Sequence, residues 1–92
     1  MTKVVVTLNI MPESPEINLE NLTKEVADKV QEFAGETETK SEIEPVAFGI
    51  KILKFIFVMD EDKGSTDVLE NSIASLDGIK SVEAVDVRRA IG

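Results

Sequence analysis

The amino-acid sequence predicts an α+β fold in which two helices cover one face of a four-stranded antiparallel sheet. Some segments alternate apolar and polar residues, as half-buried strands do, and two others repeat apolar residues every three or four positions, as helices do. Along the chain these elements follow the order β-α-β-β-α-β, and the two helices must lie on one face of the sheet. Right-handed crossovers in each βαβ half make this a ferredoxin-like split βαβ sandwich.

The first predicted element is a strand over residues 3–11. Its sequence, KVVVTLNIM, is rich in β-branched residues and alternates with a period of two. Pro12 and Pro15 follow, and because proline interrupts regular structure we expect them to end the strand and form a loop. The residues expected to share one face of this strand are Val4, Val6, Leu8 and Ile10.

The second element is a helix over residues 18–34. Asn18 occupies the position of an N-cap, and Glu20 lies in the first turn, where the helix dipole stabilises a negative charge. Gly35 directly follows the last apolar residue and is a natural stop for the helix. The apolar stripe of this helix consists of Leu19, Leu22, Val26, Val30 and Phe33.

A polar strand comes next, over residues 36–44. Its sequence, ETETKSEIE, is short of apolar residues, and a charged strand of this kind is a safe way to end a sheet. Pro45 suits the end of such a strand because it cannot donate a hydrogen bond to a neighbouring strand. We therefore expect an edge strand here.

Residues 50–59, IKILKFIFVM, are the most apolar segment and predict a further strand. Phe55 and Phe57 lie at its centre and are expected in the core. Lys51 and Lys54 do not fit strict alternation, so we expect one of them on a partly open face or beside a bulge.

The last two elements are a second helix and a fourth strand. Residues 60–65, DEDKGS, predict a turn, after which Ser65 or Thr66 is expected to cap the helix and Asp77-Gly78 to close it. The strand is predicted over 79–88, with its facing slipping by one residue near 84–85. The buried stripe predicted for the second helix consists of Val68, Leu69, Ile73 and Leu76.

Composition excludes several classes of function. The 92 residues suffice for a single domain over 1–92, and they include no Cys and no His, so thiolate or imidazole catalysis and common zinc sites are ruled out. The net charge of −8 repels polyphosphate, so we expect no direct binding of nucleic acid. No apolar run reaches the roughly 18 residues that span a bilayer, and the N-terminus does not resemble a signal peptide. We therefore expect a cytoplasmic protein with no membrane contact and no cofactor.

Carboxylates are plentiful in this sequence. Asp60 and Asp62 belong to an acidic run on the turn that can in principle hold a divalent cation, but their spacing does not match a calcium-binding loop. Glu42 and Glu44 share one face of a strand without any sign of a pocket. We interpret both pairs as solvated acidic residues and predict no metal site.

Two other segments have features that a purely structural role does not explain. The connection Pro45-Val46-Ala47-Phe48-Gly49 places a large aromatic residue between two strands, either as a cap over the core or as an exposed binding anchor. The sequence ends in DVRRAIG over residues 86–92, which places the adjacent Arg88 and Arg89 near the end of an otherwise acidic protein. They form either a solubilising tail or a cationic probe directed at carboxylates or phosphate.

The sequence resembles the elongation factor 1-beta family, in particular its archaeal members. The similarity covers essentially the whole chain and is carried by VVVTLNIMPESPEINLENL, EIEPVAFGIKILKFIFVMDED and GIKSVEAVDVRRAIG. The most specific parts are the PVAFGI stretch and the terminal SVEAVDVRR stretch. The family has a ferredoxin-like fold, in agreement with the order of elements worked out from the residues.

The resemblance implies a translation factor that binds the GTPase elongation factor 1-alpha and promotes exchange of GDP for GTP by destabilising its Mg²⁺ and phosphate site. Such a factor acts by binding and makes or breaks no covalent bond. The match implies that Phe48, with its neighbours Ala47 and Gly49, contacts the GTPase. In relatives a lysine near the C-terminus reaches toward the Mg²⁺ site, whereas this sequence has no lysine after Lys80 and offers Arg88 and Arg89 instead.

Two alternatives remain open on the residues alone. The first is a regulatory domain that senses a small molecule or oligomerises through the region around Phe48, and it predicts a stable homodimer or a ligand-stabilised fold. The second is a metal-dependent hydrolase that uses Asp60 and Asp62. The exchange factor, by contrast, is expected to be a monomer when free.

Overall fold

The computed structural model describes residues 2–46 and 49–89 of the chain. Its four strands form one sheet in the order β2-β3-β1-β4, and each pair of neighbours is antiparallel. The element order and the single sheet confirm the predicted ferredoxin-like α+β fold. The elements are β1 (Lys3–Pro12), α1 (Leu19–Ala34), β2 (Thr39–Pro45), β3 (Lys51–Asp60), a 3₁₀ turn (Glu61–Lys63), α2 (Asp67–Ala74) and β4 (Ile79–Arg89).

The core lies between the sheet and the two helices. Alternate residues of β1 and β3 point into it, and Phe55 and Phe57 are almost fully buried, as predicted. Burying one large apolar side chain contributes about 1.5–3 kcal/mol, so this layer supplies the main stabilisation. The helices contribute Leu22, Val26, Val30, Leu69 and Ile73 to the same cluster.

Helix α1 begins and ends where its sequence predicts. The side-chain oxygen of Asn18 accepts hydrogen bonds from the backbone N–H groups of Glu20 at 2.9 Å and Asn21 at 3.1 Å. These contacts satisfy two of the backbone donors that a helix start leaves without partners. Gly35 ends the helix with a φ of 80°, a left-handed conformation that glycine adopts without strain.

Two predictions for α2 are wrong. The helix ends at Ala74, three residues before Asp77, so the Asp77-Gly78 pair follows a turn and leads directly into β4. Val68 does not belong to the buried stripe, since 67% of it is exposed. Leu69 and Ile73 are four positions apart and take the inward direction, which leaves the adjacent Val68 turned by about 100° toward solvent. At the start of α2, where Ser65 or Thr66 is the predicted cap, the hydroxyl of Ser65 accepts a hydrogen bond from the backbone N–H of Asp67 at 3.1 Å.

The predicted slip in β4 is confirmed. Leu8 pairs with Ala84, but its neighbour Thr7 pairs with Asp86, so Val85 is an extra residue in the strand. An extra residue of this kind is a β-bulge, which increases the local twist and changes the side of the sheet that the following residues face.

The sheet face turned away from the helices, called the open face below, carries the residues that alternate with the core positions. Lys54 lies on it and its ammonium group is 3.1 Å from a carboxylate oxygen of Glu44, which explains why Lys54 breaks the apolar run. β2 is an edge strand, as predicted, and its Ser41 and Ile43 pair with the core residues Phe55 and Leu53 of β3.

Candidate partner-binding surfaces

The five residues predicted to contact a partner belong to two segments. Ala47 and Phe48, for which a core cap and an exposed anchor are the two predictions, lie outside the described residues. Gly49 is exposed and lies just before β3. Arg88 and Arg89 are exposed at the end of β4.

Gly49 and the two arginines lie at opposite ends of the sheet. β3 begins at Lys51, which pairs with Pro45, and its far end brings Met59 beside Val4, which in turn pairs with Arg89. A strand of this length spans roughly 30 Å. The molecule is elongated, with principal extents of 42 × 22 × 18 Å. The structure therefore does not bring Gly49 and the arginines together.

The end that carries Gly49 is called the turn end below. The N–H of Val46 donates to the carbonyl of Ile50 at 2.8 Å, which closes the connection between β2 and β3. Gly49 has a φ of 74°, and a Cβ placed there would have no heavy atom within 4 Å. Glycine is therefore required here by the backbone conformation rather than by lack of space.

A groove of about 480 Å³ opens beside the turn end, between the start of α1 and the β2–β3 connection. Ile43 lies on its wall and is 46% exposed, as is the nearby Val46. The sequence alone could have indicated Ile43 as a binding residue, because it is the one large apolar residue of a polar strand. The groove is lined by Pro12, Ser14, Pro15, Ile17, Asn18, Leu19, Glu20, Ile43, Gly49 and Lys51.

The end that carries the arginines is called the tail end below. The Nε of Arg88 lies 2.8 Å from Asp86 on the same strand, and an Nη of Arg89 lies 3.3 Å from Glu61 in the 3₁₀ turn. Both side chains are about three-quarters exposed. Both charges are therefore available to a partner, in exchange for an exposed ion pair that contributes little to stability.

A second, smaller cavity of about 300 Å³ lies at the tail end. Its apolar wall comes from three strands, and its rim comes from the segment that leads into α2. Sequence reasoning missed this site because its residues come from four separate stretches of the chain. The cavity is lined by Val4, Val6, Met59, Glu61, Gly64, Ser65, Thr66 and Val87.

The acidic turn is engaged in ion pairs with neighbouring residues. Asp60 lies 2.9 Å from the ammonium group of Lys3, and Glu61 meets Arg89. Across residues 2–46 and 49–89, no three His, Cys, Asp or Glu side chains come together in a way that would hold a metal ion. In those same residues no helix has the length and apolar character to span a membrane.

Comparison with solved structures supports the fold. A de novo designed protein, Foldit4, superposes with a TM-score of 0.67 and covers 98% of each chain at 20% sequence identity. At this level of identity the likeness concerns the architecture alone.

Comparison with known sequences is more specific. The family described as the EF-1 guanine nucleotide exchange domain matches residues 5–90. The elongation factor 1-beta of Methanothermobacter thermautotrophicus is 38% identical over 89 residues, covering 97% of this chain and 98% of its own. Those of Sulfurisphaera tokodaii and Methanobrevibacter smithii are 40% and 41% identical over 90 residues, covering 97% of this chain and 97% and 98% of their own. The chain therefore belongs to the elongation factor 1 guanine nucleotide exchange domain family, whose archaeal members are the translation factors named elongation factor 1-beta.

Proposed function

We propose that this protein binds elongation factor 1-alpha in the cytoplasm and promotes the exchange of its GDP for GTP. The observation that carries the proposal is the family match over residues 5–90, which includes both the turn end and the tail end. The match agrees with the sequence-based expectation, which used the PVAFGI stretch before β3 and the SVEAVDVRR stretch that runs along β4 to the tail end.

An exchange factor of this kind breaks no covalent bond. It binds the nucleotide-free GTPase more tightly than the GDP-bound form, and linkage then requires that the GTPase hold its nucleotide more weakly in the complex by the same factor. A thousandfold weakening corresponds to about 4 kcal/mol of coupling. All of this energy must come from contacts between the two proteins.

The shape of the molecule suggests how such contacts are arranged. Gly49 and the arginines lie at opposite ends of a chain 42 Å long, joined by continuous β-strands. A rigid body of this length holds two sites on a GTPase at a fixed separation. Phe48 with Ala47 and Gly49 would then form one contact, and Arg88 and Arg89 the other.

The tail end supports the second half of the mechanism, in which the Mg²⁺ and phosphate site is destabilised. Mg²⁺ is the largest local charge that holds a bound diphosphate, so displacing it or its ligands weakens the nucleotide strongly. A guanidinium has the charge to compete for phosphate or for a carboxylate ligand. The sequence has no lysine after Lys80 and offers Arg88 and Arg89 near its end, and the planar, bulkier head of arginine makes contacts different from those of lysine.

A binding titration tests this proposal. The affinity of the protein for elongation factor 1-alpha should be much higher without nucleotide than with saturating GDP, and the affinity of the GTPase for GDP should fall by the same factor when the protein is added. Equal affinity for the two forms of the GTPase would refute the proposal, however tight the complex is.

The regulatory-domain alternative makes a different prediction. It requires a stable homodimer or a ligand that stabilises the fold, whereas the exchange factor is proposed to be a monomer when free. Light scattering on the purified protein over a range of concentrations tests for the homodimer, and melting temperatures with and without added small molecules test for a stabilising ligand.

A further inference from the structure

The two adjacent arginines of the tail end lie on opposite faces of the sheet. Arg88 pairs with Val5, which belongs to the open face, whereas Arg89 pairs with Val4, which faces the helices and is only 8% exposed. The two side chains carry the same charge and are 78% and 74% exposed, so neither charge nor exposure distinguishes them. They differ in the face of the sheet to which they point.

The bulge at Val85 sets these directions. Residues that pair directly across an antiparallel sheet point to the same side. If Val85 paired with Thr7, each later residue would change sides, and Arg88 rather than Arg89 would lie beside Val4 on the helix side. In the observed register Asp86 pairs with Thr7, which places Arg88 on the open face. The bulge therefore decides which arginine joins the helix side.

Arg88 lies on a face that carries several ion pairs and a further carboxylate, Glu83, opposite Asn9. It pairs at 2.8 Å with Asp86, two positions earlier on the same strand and therefore on the same face. Three more ion pairs lie on that face, each with its cation and carboxylate 4 Å or less apart. They are Lys3–Asp60, Lys40–Glu42 and Lys54–Glu44.

Arg89 lies beside an apolar surface. On the helix side Val87 precedes it on β4, is 56% exposed and lines the 300 Å³ cavity together with Val4 and Met59. The contact from Arg89 to Glu61, at 3.3 Å, is longer than the contact from Arg88 to Asp86. A guanidinium next to an exposed apolar cleft has the composition of a protein-binding hot spot, because apolar burial removes water from the ion pair that the arginine forms.

We infer that Arg89, together with the cleft at Val87, contacts the GTPase. Arg88 instead keeps its ion pair with Asp86 on the open face of this protein. The inference rests on the proposed function and specifies its tail-end contact. The surface that fits is an apolar side chain next to a carboxylate, since the cleft accepts the first and the guanidinium binds the second. Arg89 exchanges Glu61 for the partner's carboxylate on binding.

The variants Arg88→Gln and Arg89→Gln test the inference as a matched pair. Each removes one charge from an exposed side chain, so both variants should fold, and their melting temperatures check this directly. Affinity for nucleotide-free elongation factor 1-alpha and the rate of GDP release are then measured for both. Arg89→Gln should weaken binding by about thirtyfold or more, as truncating one partner of a desolvated ion pair does, and Arg88→Gln less than twofold.

The ratio of the two effects decides the outcome. A loss of affinity with Arg89→Gln at least three times that with Arg88→Gln supports the inference. A smaller ratio, the reverse order, or no loss with either variant overturns it. If the unmodified protein does not accelerate GDP release at all, the proposed function fails first, and the two failures are thereby distinguished. Val87→Ser should reproduce the loss seen with Arg89→Gln, and full affinity in that variant would remove the cleft from the contact.

Discussion

Replacing Asn18 with alanine removes the N-cap of α1. The side-chain oxygen of Asn18 accepts two backbone hydrogen bonds, at 2.9 and 3.1 Å, and alanine leaves both donors to water. Loss of such a cap costs about 1 kcal/mol, within a range of about 0.5–2. For a domain of this size that corresponds to a fall in melting temperature of about 4–8 °C.

Circular dichroism during thermal and urea unfolding measures this loss. Asn21→Ala is the matched control, because Asn21 is an exposed residue of the same helix turn that contributes only its backbone N–H to the cap. It should change the free energy of unfolding by less than about 0.5 kcal/mol. Asn18→Asp keeps the acceptor and should retain most of the stability.

Two results would show that the side chain of Asn18 does not stabilise α1 as a cap. If Asn18→Ala and Asn21→Ala destabilise equally, the loss does not come from the hydrogen bonds that the side chain of Asn18 accepts. If Asn18→Asp is as unstable as Asn18→Ala, the side-chain acceptor is not what stabilises the start of the helix.

Three further predictions concern the two ends of the molecule. Phe48→Ala should slow GDP release far more than it lowers the melting temperature; an equal loss of both would make Phe48 a core residue. Gly49→Ala should destabilise the fold by about 1–2 kcal/mol, because alanine would have to adopt the left-handed backbone conformation of Gly49, at φ 74°. An added Cβ meets no heavy atom within 4 Å, so the cost comes from the backbone alone, and an unchanged urea midpoint would contradict this prediction. Reversing the charges of Arg88 and Arg89 together should weaken GTPase binding most at low salt, and an effect independent of ionic strength would exclude an electrostatic contact.

Most of the fold could be predicted from the sequence because its signals are local. The cap at Asn18, the stop at Gly35 and the alternation of β1 are each read from neighbouring residues, and all three are confirmed. The prediction that Val68 is buried was wrong for a physical reason. Val68 and Leu69 are equally apolar, and only the packing of α2 on the sheet decides which of two adjacent residues turns inward.

The candidate site was less accessible to sequence reasoning. The slip near 84–85 was visible in the pattern of valines, but its consequence for Arg88 and Arg89 depends on pairing with β1, some 80 residues earlier in the chain. The cleft beside Val87 likewise requires that Val4, Met59 and Thr66 come together. No local pattern encodes such a meeting, whereas the family resemblance pointed to both ends of the chain without giving their geometry.

The most direct test of the central claim is the rate at which a fluorescent GDP analogue leaves elongation factor 1-alpha, with and without this protein. An exchange factor accelerates release at substoichiometric amounts, because each molecule acts repeatedly by binding and is not consumed. No acceleration, with this protein folded and the GTPase able to bind nucleotide, would show that the protein is not an exchange factor for this GTPase.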